Sequence, residues 1–348
     1  MEEVIPKIDR QVLKSELTSD KLFRKTNKSH NEIYLFTAHT APNTMLEVGR
    51  LREIAFRYYG GGTGKPTDMD AFDTMDVPYR QLIVWDPVEE EILGGYRFRC
   101  GNEITFDSSG QPDNIATAEL FRFSPQFIDN YLPSMVELGR SFVSLDYQST
   151  QKASKGLFVL DNLWDGLGAL AVLDPNIRYF FGKVTMYNTY NPEARNLILY
   201  FLYKYFHDKE LLITPIRPLQ TNSDYAKMDA LFTNKSYKDD YKILNVEVRK
   251  YGINIPPLVS AYMNLSPSMR VFGTAVNDDF GAVEETGILI DFYDIFEDKK
   301  KRHIESFLLE KPSKILLNRL KKLISKNFTL KSTKGKKNNY RLFSDSGK

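Results

Sequence analysis

The stretch "TDMDAFD" sets Asp68, Asp70 and Asp73 within one turn or two of chain. Carboxylates that close repel one another, so they call for cations nearby, supplied by Arg or Lys, a metal ion or an amine substrate. The plainer alternative is a solvated surface loop. A second charged stretch, "VELGRSFV", reads as a strand, and strict alternation puts Glu137, Gly139 and Ser141 on one side and Leu138, Arg140 and Phe142 on the other. Opposite charges in an otherwise apolar strand are costly to bury unless paired. They form either a structural salt bridge or part of a site, and Gly139 would permit close backbone approach. Arg97, in "GGYRFR", adds a further cation on a neighbouring strand. His30, His39, His207 and His303 are scattered, so no metal site is expected.

Just before the aspartates lies "GGGTGK", which looks like a phosphate-binding loop. A true one needs Gly at the first position and Ser or Thr after the lysine, whose hydroxyl holds magnesium. Here Tyr59 and Pro66 occupy those positions, and the preceding segment reads as helix rather than strand. A pliable glycine-rich connection is the expectation.

These residues need elements to position them. In "TMLEVGRLREIAFRYY", Met45, Leu51, Ile54, Ala55 and Tyr58 fall on one helical face. "RQLIVWD" and "EILGGYRFRC" read as a hairpin, "AELFRF" as a short strand, and "SPQFIDNYL" as a short helix with Ser124 as N-cap. The "VELGRSFV" strand follows, then a long apolar helix ending at Asp174-Pro175, the strand "IRYFFGKVTM", and a helix capped by Asn191 with Pro192 at its first position. In the long helix Trp164 reads as core, and Gly166 and Gly168 allow close packing. Residues 221–251 are helix-prone, and "MRVFGTAV" and "GILIDFYDI" add strands. The order implies an α/β (α+β) fold, a mixed central sheet with helices on both faces. Residues 1–44 read as an irregular or helical lead, 45–296 as the folded domain, and 297–348 as a C-terminal extension.

The 348 residues suffice for a proper core. Cys100 is the lone cysteine, so no intramolecular disulfide forms, which fits a reducing compartment. The start "MEEVIPKIDRQ" has no apolar stretch of the secretory type, and no window of about 18 apolar residues is present. The expectation is a cytoplasmic protein. Net charge is only +2, yet 299–348 hold 16 Lys and Arg against 3 acids, leaving 31 basic and 42 acidic residues elsewhere. Within "SKILLNRLKKLISKNF" an apolar helical face is flanked by cations, the pattern of a helix lying on anionic lipid. The leucine-rich face favours a membrane over nucleic acid, so 311–330 are expected to meet an anionic inner membrane surface.

Taken in order, "LREIAF", "DMDAFD", "GGYRFR" and "VELGRSFV" resemble the GNAT-like acyltransferases of the autoinducer-synthase branch. The closer resemblance is to the lipid N-acyltransferases that make ornithine and glycine lipids, carried by "ELGRSFV", "LWDGLGAL" and the "PPLVSAYMNL…GILIDFYDI" segment, over about residues 45–296. The match places Arg52 and Phe56 in the family's Arg/Phe helix, Asp68, Asp70 and Asp73 in its acidic trio, Arg97 in its hairpin, and Glu137 and Arg140 in its Glu/Arg strand.

The resemblance implies transfer of a fatty acyl group, 3-hydroxylated, from an acyl carrier protein thioester to an amino acid's α-amine. The loop "DYQSTQKASKG" lacks a plain pyrophosphate-binding motif, which favours carrier protein over coenzyme A as donor. No bound cofactor is expected. In this reading Glu137 accepts the amine proton, directly or through water, and backbone N–H groups around Arg140, Ser141 and Phe142 stabilise the oxyanion. Arg97 or Arg140 holds the substrate carboxylate. The aspartates organise Arg52 and Arg97 or attract the ammonium, and Tyr187 protonates the leaving thiolate. Two rivals stand beside it: an acyl-homoserine-lactone-type signal synthase, and a non-enzymatic basic-tailed adaptor. Glycine and ornithine remain equally open as acceptor.

Overall fold

In the strand Arg80–Asp86, alternate side chains part company: Leu82 and Val84 join one hydrophobic cluster, Ile83 and Trp85 another. That division is the plan of the molecule, a sheet with a core on each face. The computed structural model describes residues 1–148, 153–232, 236–305 and 307 of the chain. Its strands are β1 (Leu22–Lys25), β2 (Glu32–Phe36), β3 (Arg80–Asp86), β4 (Glu91–Cys100), β5 (Phe121–Phe123), β6 (Met135–Val143), β7 (Tyr179–Met186), β8 (Ile213–Pro215), β9 (Arg270–Asn277) and β10 (Val283–Asp291). Eight of them form one sheet in the order β1-β2-β3-β4-β6-β7-β10-β9, and β5 and β8 pair separately. Every neighbour in the large sheet is antiparallel except β6 and β7, which run parallel.

The early helices are α1 (Arg10–Glu16), α2 (Pro42–Tyr58), α3 (Ala71–Thr74) and α4 (Pro125–Asn130). Those that follow are α5 (Ala153–Leu173), α6 (Pro192–Phe206), α7 (Tyr225–Leu231), α8 (Tyr237–Arg249), α9 (Pro257–Met263) and α10 (Glu297–Lys300). α2 covers one face through Met45, Val48, Ala55 and Phe56. α5 and α6 cover the other, through residues such as Val159, Leu163, Ile198 and Phe201. A Cβ on Gly166 would sit 2.7 Å from Leu82 Cδ1, so α5 rests on β3 where a larger residue would not fit. Asn191 accepts from the N–H groups of Glu193 and Ala194, capping α6 as its sequence requires.

The mixed sheet with helices on both faces is as expected, and β10 lies inside the sheet. The lead over 1–44, expected to be irregular or helical, contains the helix α1 and also two strands: β1 and β2 extend the sheet, with Tyr34 opposite Ile83 of β3. The reason is "EIYLF", apolar on both faces, which sends Ile33 into one core and Tyr34 and Phe36 into the other. Ordered structure also passes 296, because α10 continues into a helical turn over Lys301–Glu305 and both His303 and Phe307 are buried. No helix among the described residues is long and apolar enough to cross a membrane. Residues 311–330, read as an amphipathic segment, lie outside the described residues.

Candidate active site

The acidic trio is arranged by a helix cap. Asp70 is the N-cap of α3, accepting from the Asp73 N–H, while the Asp73 carboxylate accepts from the Asp70 N–H. This reciprocal box fixes a three-residue spacing. Asp68 is placed by its own N–H, which donates to the Gly49 carbonyl of α2 at 3.0 Å. The approach requires glycine there, since a Cβ on Gly49 would sit 2.9 Å from Met69 Cγ. From α2, Arg52 donates to Asp73 at 3.3 Å and to the Gln81 side-chain oxygen.

Arg97, from β4, forks onto both oxygens of Asp70 at 2.6 and 2.7 Å and lies 2.9 Å from Asp73. Arg52, Asp68, Asp73 and Arg97 are all at most 1% exposed, whereas the Asp70 side chain is 28% exposed and that of Arg140 13%. The deep members therefore form a closed ion network, and Asp70 and Arg140 are its members that meet solvent. Burial works against the Asp70 carboxylate, but Arg97, then Arg140 and Arg52, overcome it and hold the group down at about 2. For Asp68 burial prevails and pushes the carboxyl up despite Arg140.

Strict alternation fails in β6, and that failure makes the site. Gly139 pairs with Arg97 and Phe142 with Gly95, so Arg140 and Ser141 together oppose Tyr96. This is a β-bulge, with Arg140 at φ 52°, and it re-aims the chain. Arg140 and Phe142 consequently lie on the α2 side with Glu137, and not opposite it as alternation implied. Arg140 Nε is 2.9 Å from Asp68 Oδ2, and its guanidinium stacks over Phe280 at 4.2 Å. The parallel pairing of β6 with β7 ends at Leu138 and Gly182, although β6 runs on to Val143 and β7 to Met186. The two strands thus splay, and a gap opens beside the bulge. Beyond Leu138 the edge of β6 that faces β7 has no ladder partner among the described residues.

Glu137 is brought to this network but is 1% exposed. Its oxygens accept from the Tyr79 hydroxyl and, at 2.9 Å, from the Thr117 N–H. Ser141 is exposed beside the gap, and Phe142 is buried. Phe56 is buried against Phe280, ring centroids 5.2 Å apart, and so backs the ring that Arg140 covers. Tyr187 stacks on Tyr59, and burial, then the Glu285 charge, pushes its phenol up. The glycine loop runs from the end of α2 towards the aspartates as an irregular connection. It cradles an anion of this chain itself: Thr63 N–H and Oγ and Gly64 N–H all donate to the Glu53 carboxylate, at 2.7–3.0 Å.

Gly139 is not required by packing, since a Cβ there would meet Arg97 at 3.7 Å. Three contributors were not singled out from the sequence. Lys183 of β7 pairs with Glu285 of β10, a residue 2% exposed. The signal that exposed Glu137 and Arg140, charge inside an apolar strand, is equally present in "FFGKVTM" and "VEETGILI". Glu119, at the end of the turn Ala116–Glu119, carries no such signal. Among the described residues no group of His, Cys, Asp and Glu is set to hold a metal ion.

A family model described as an acetyltransferase (GNAT) domain matches residues 51–156, which span α2 through the bulged strand to the start of α5. With the mixed sheet and the splay between β6 and β7, this makes the chain an acyltransferase of the GNAT class. A glycine N(alpha)-acyltransferase of Phocaeicola vulgatus is 61% identical over 312 residues, covering 90% of this chain and 95% of that one. Another of the same name, from Bacteroides thetaiotaomicron, is 58% identical over 312 residues, covering 90% and 92%. The chain belongs to the glycine N(alpha)-acyltransferase family. A solved CoA-dependent acyl-homoserine lactone synthase, holding S-adenosylmethionine and isopentyl-CoA, aligns at TM-score 0.28 and 14% identity over 48% of this chain and 72% of its own. That likeness is too distant to inform the site.

Proposed function

We propose that the chain transfers a 3-hydroxy fatty acyl group from the thioester of acyl carrier protein to the α-amine of glycine, a step in making aminolipids. The observation that carries the reading is the gap between β6 and β7, bordered by Arg140 and Asp70 where the ion network reaches solvent. The names of the two relatives favour glycine over ornithine.

In this reading the thioester enters the gap, and its carbonyl oxygen takes hydrogen bonds from β6 backbone N–H groups around Arg140, Ser141 and Phe142. Donors fixed in advance at that point stabilise the tetrahedral oxyanion at little reorganisation cost. Arg140 holds the glycine carboxylate, because the fork of Arg97 is already filled by Asp70 and Asp73. Asp70 stays ionised and draws in the ammonium. Arg52, Asp68, Asp73 and Phe56 hold these two in place and need not touch substrate. Glu137 has both oxygens engaged, so we assign it to positioning Tyr79 and the turn after Ile115. With its proton held tightly, Tyr187 donates a hydrogen bond to the departing sulfur.

Acyl carrier protein is preferred to acyl-CoA on the loop sequence alone. The cationic, leucine-rich 311–330 segment would bring the enzyme to anionic membrane, where its lipid product partitions. The test offers purified protein both thioesters, with glycine, ornithine and serine as acceptors, and identifies products by mass spectrometry. N-acylglycine from the carrier-protein thioester is expected. A lactone, or no amide from any pair, would refute the reading.

A further inference from the structure

We propose that Glu119 is the catalytic base that takes the proton from the acceptor amine, an assignment that rests on the acyl-transfer reading above. Glu119 ends a short turn that is bolted to the network from below. The Ala116 N–H donates to the Tyr79 hydroxyl at 3.0 Å and the Thr117 N–H to Glu137 at 2.9 Å. On its other side Leu120 is buried, and its carbonyl accepts from the Ile216 N–H at 2.8 Å. Glu119 therefore stands on a rigid mount, partly enclosed by the protein and still open to solvent.

The charges it faces come from four elements: Lys183 on β7, Asp70 in the segment before α3, Arg140 on β6 and Arg97 on β4. Its turn leads into β5, whose Phe123 packs on Phe181 of β7 with ring centroids 5.8 Å apart, and Glu137 and Lys183 project from the same sheet face as Phe181. Each other carboxylate of the site is engaged: Asp68 by Arg140, Asp70 and Asp73 by Arg97, Glu137 by Tyr79 and Thr117, Glu285 by Lys183. Glu119 makes no hydrogen bond or ion pair among the described residues. Partial burial, together with the Asp70 charge, raises its carboxyl above the usual range against the pull of Lys183. A base shifted in that direction is better matched to proton transfer near neutral pH.

The step balances simply. The ammonium gives one proton to the Glu119 carboxylate, and the freed nitrogen lone pair forms the C–N bond. The tetrahedral adduct collapses with C–S cleavage, and the nitrogen sheds its second proton as the thiolate gains one. Glu119 then returns its proton to water.

The test compares wild type with Glu119→Gln and Glu119→Asp by steady-state kinetics across pH, with thermal melts as a folding control. Glu119→Gln should lower kcat about 10²- to 10⁴-fold, as for loss of a general base, with KM for the thioester little changed. Its rate should then climb continuously with pH, as only spontaneously neutral amine reacts, while Glu119→Asp keeps an acid limb at an intermediate rate. An active wild type with Glu119→Gln within about threefold of it, acid limb intact, overturns this assignment alone. A wild type that forms no N-acylglycine overturns the parent reading and takes the assignment with it.

Discussion

Asp68 and Arg140 meet at 2.9 Å across 72 residues of sequence, the aspartate fully buried and the arginine held at φ 52° in a bulge. A non-glycine residue with that backbone costs about 1–2 kcal/mol and persists where its surroundings over-determine it. Here the surroundings are the Asp68 charge and the Phe280 ring. Arg140→Ala should relieve the backbone only partly, because alanine disfavours the same region, and it strands a buried carboxylate. We expect a net loss of about 3 kcal/mol in urea unfolding, the scale for breaking a buried pair. Asp68→Asn with Arg140→Ala should recover much of that loss while remaining inactive. A double variant no more stable than Arg140→Ala would show that the buried charge is not the cause.

Acid stability should depend on Asp70. Its folded-state carboxyl sits at about 2 against an ordinary 3.8, so the unfolded chain takes up that proton at higher pH than the native one. The resulting stability is present above about pH 4 and is lost as pH falls towards about 2. That difference corresponds to about 2 kcal/mol. Asp70→Asn should therefore cost that order of stability near neutrality and flatten the decline between about pH 4 and pH 2. Urea titrations at several pH values check it, and an unchanged acid slope would contradict the ion-network account.

The glycine loop makes a different prediction. Gly60, Gly62 and Gly64 adopt φ of 93°, 91° and 74°, and the loop wraps the buried Glu53 carboxylate. Gly62→Ala should cost about 1–2 kcal/mol, since the backbone is unfavourable and the new methyl would sit 3.1 Å from Glu53 Oε1. Gly61→Ala puts a methyl 2.8 Å from the Tyr187 ring and should lower kcat more than stability. The wild-type protein should not bind ATP in calorimetry. Measurable nucleotide affinity abolished by Gly62→Ala would restore the phosphate-loop reading.

What was legible follows from locality. Asp68, Asp70 and Asp73 stood out because carboxylates so close in sequence call for cations, and Glu137 and Arg140 because charge inside an apolar strand demands partners, whereas Arg52 was reached only through the family resemblance. The bulge was invisible, as Arg140 is not the glycine that would advertise it, and the extra residue is defined only by register with β4. Strands β1, "LFRK", and β2, "EIYLF", are short, and β1 leans on β2 and β2 on β3 for their definition. Glu119 was missed for the same reason: its meaning comes from Lys183, Asp70 and Arg140, which chain folding alone brings near.

The C-terminal boundary supplies the last prediction. Cutting at Lys299 would remove more than a tail. His303 Nδ1 lies 2.8 Å from Asp165 of α5, Arg302 pairs with Asp161 at 2.7 Å, and Lys300 donates to the Tyr293 carbonyl at 2.9 Å. Phe307 is fully buried, with the Arg24 guanidinium 5.1 Å from its ring. Losing a buried phenylalanine alone costs about 3–5 kcal/mol. Removal of 299–348 should therefore lower the melting temperature sharply and depress turnover, whereas removal of 311–348 should leave both near wild type. The shorter deletion then isolates the cationic segment: it should abolish sedimentation with vesicles containing anionic lipid while sparing transfer to soluble glycine. Vesicle binding that survives it would place the membrane contact on the folded domain and remove the tail from the proposed function.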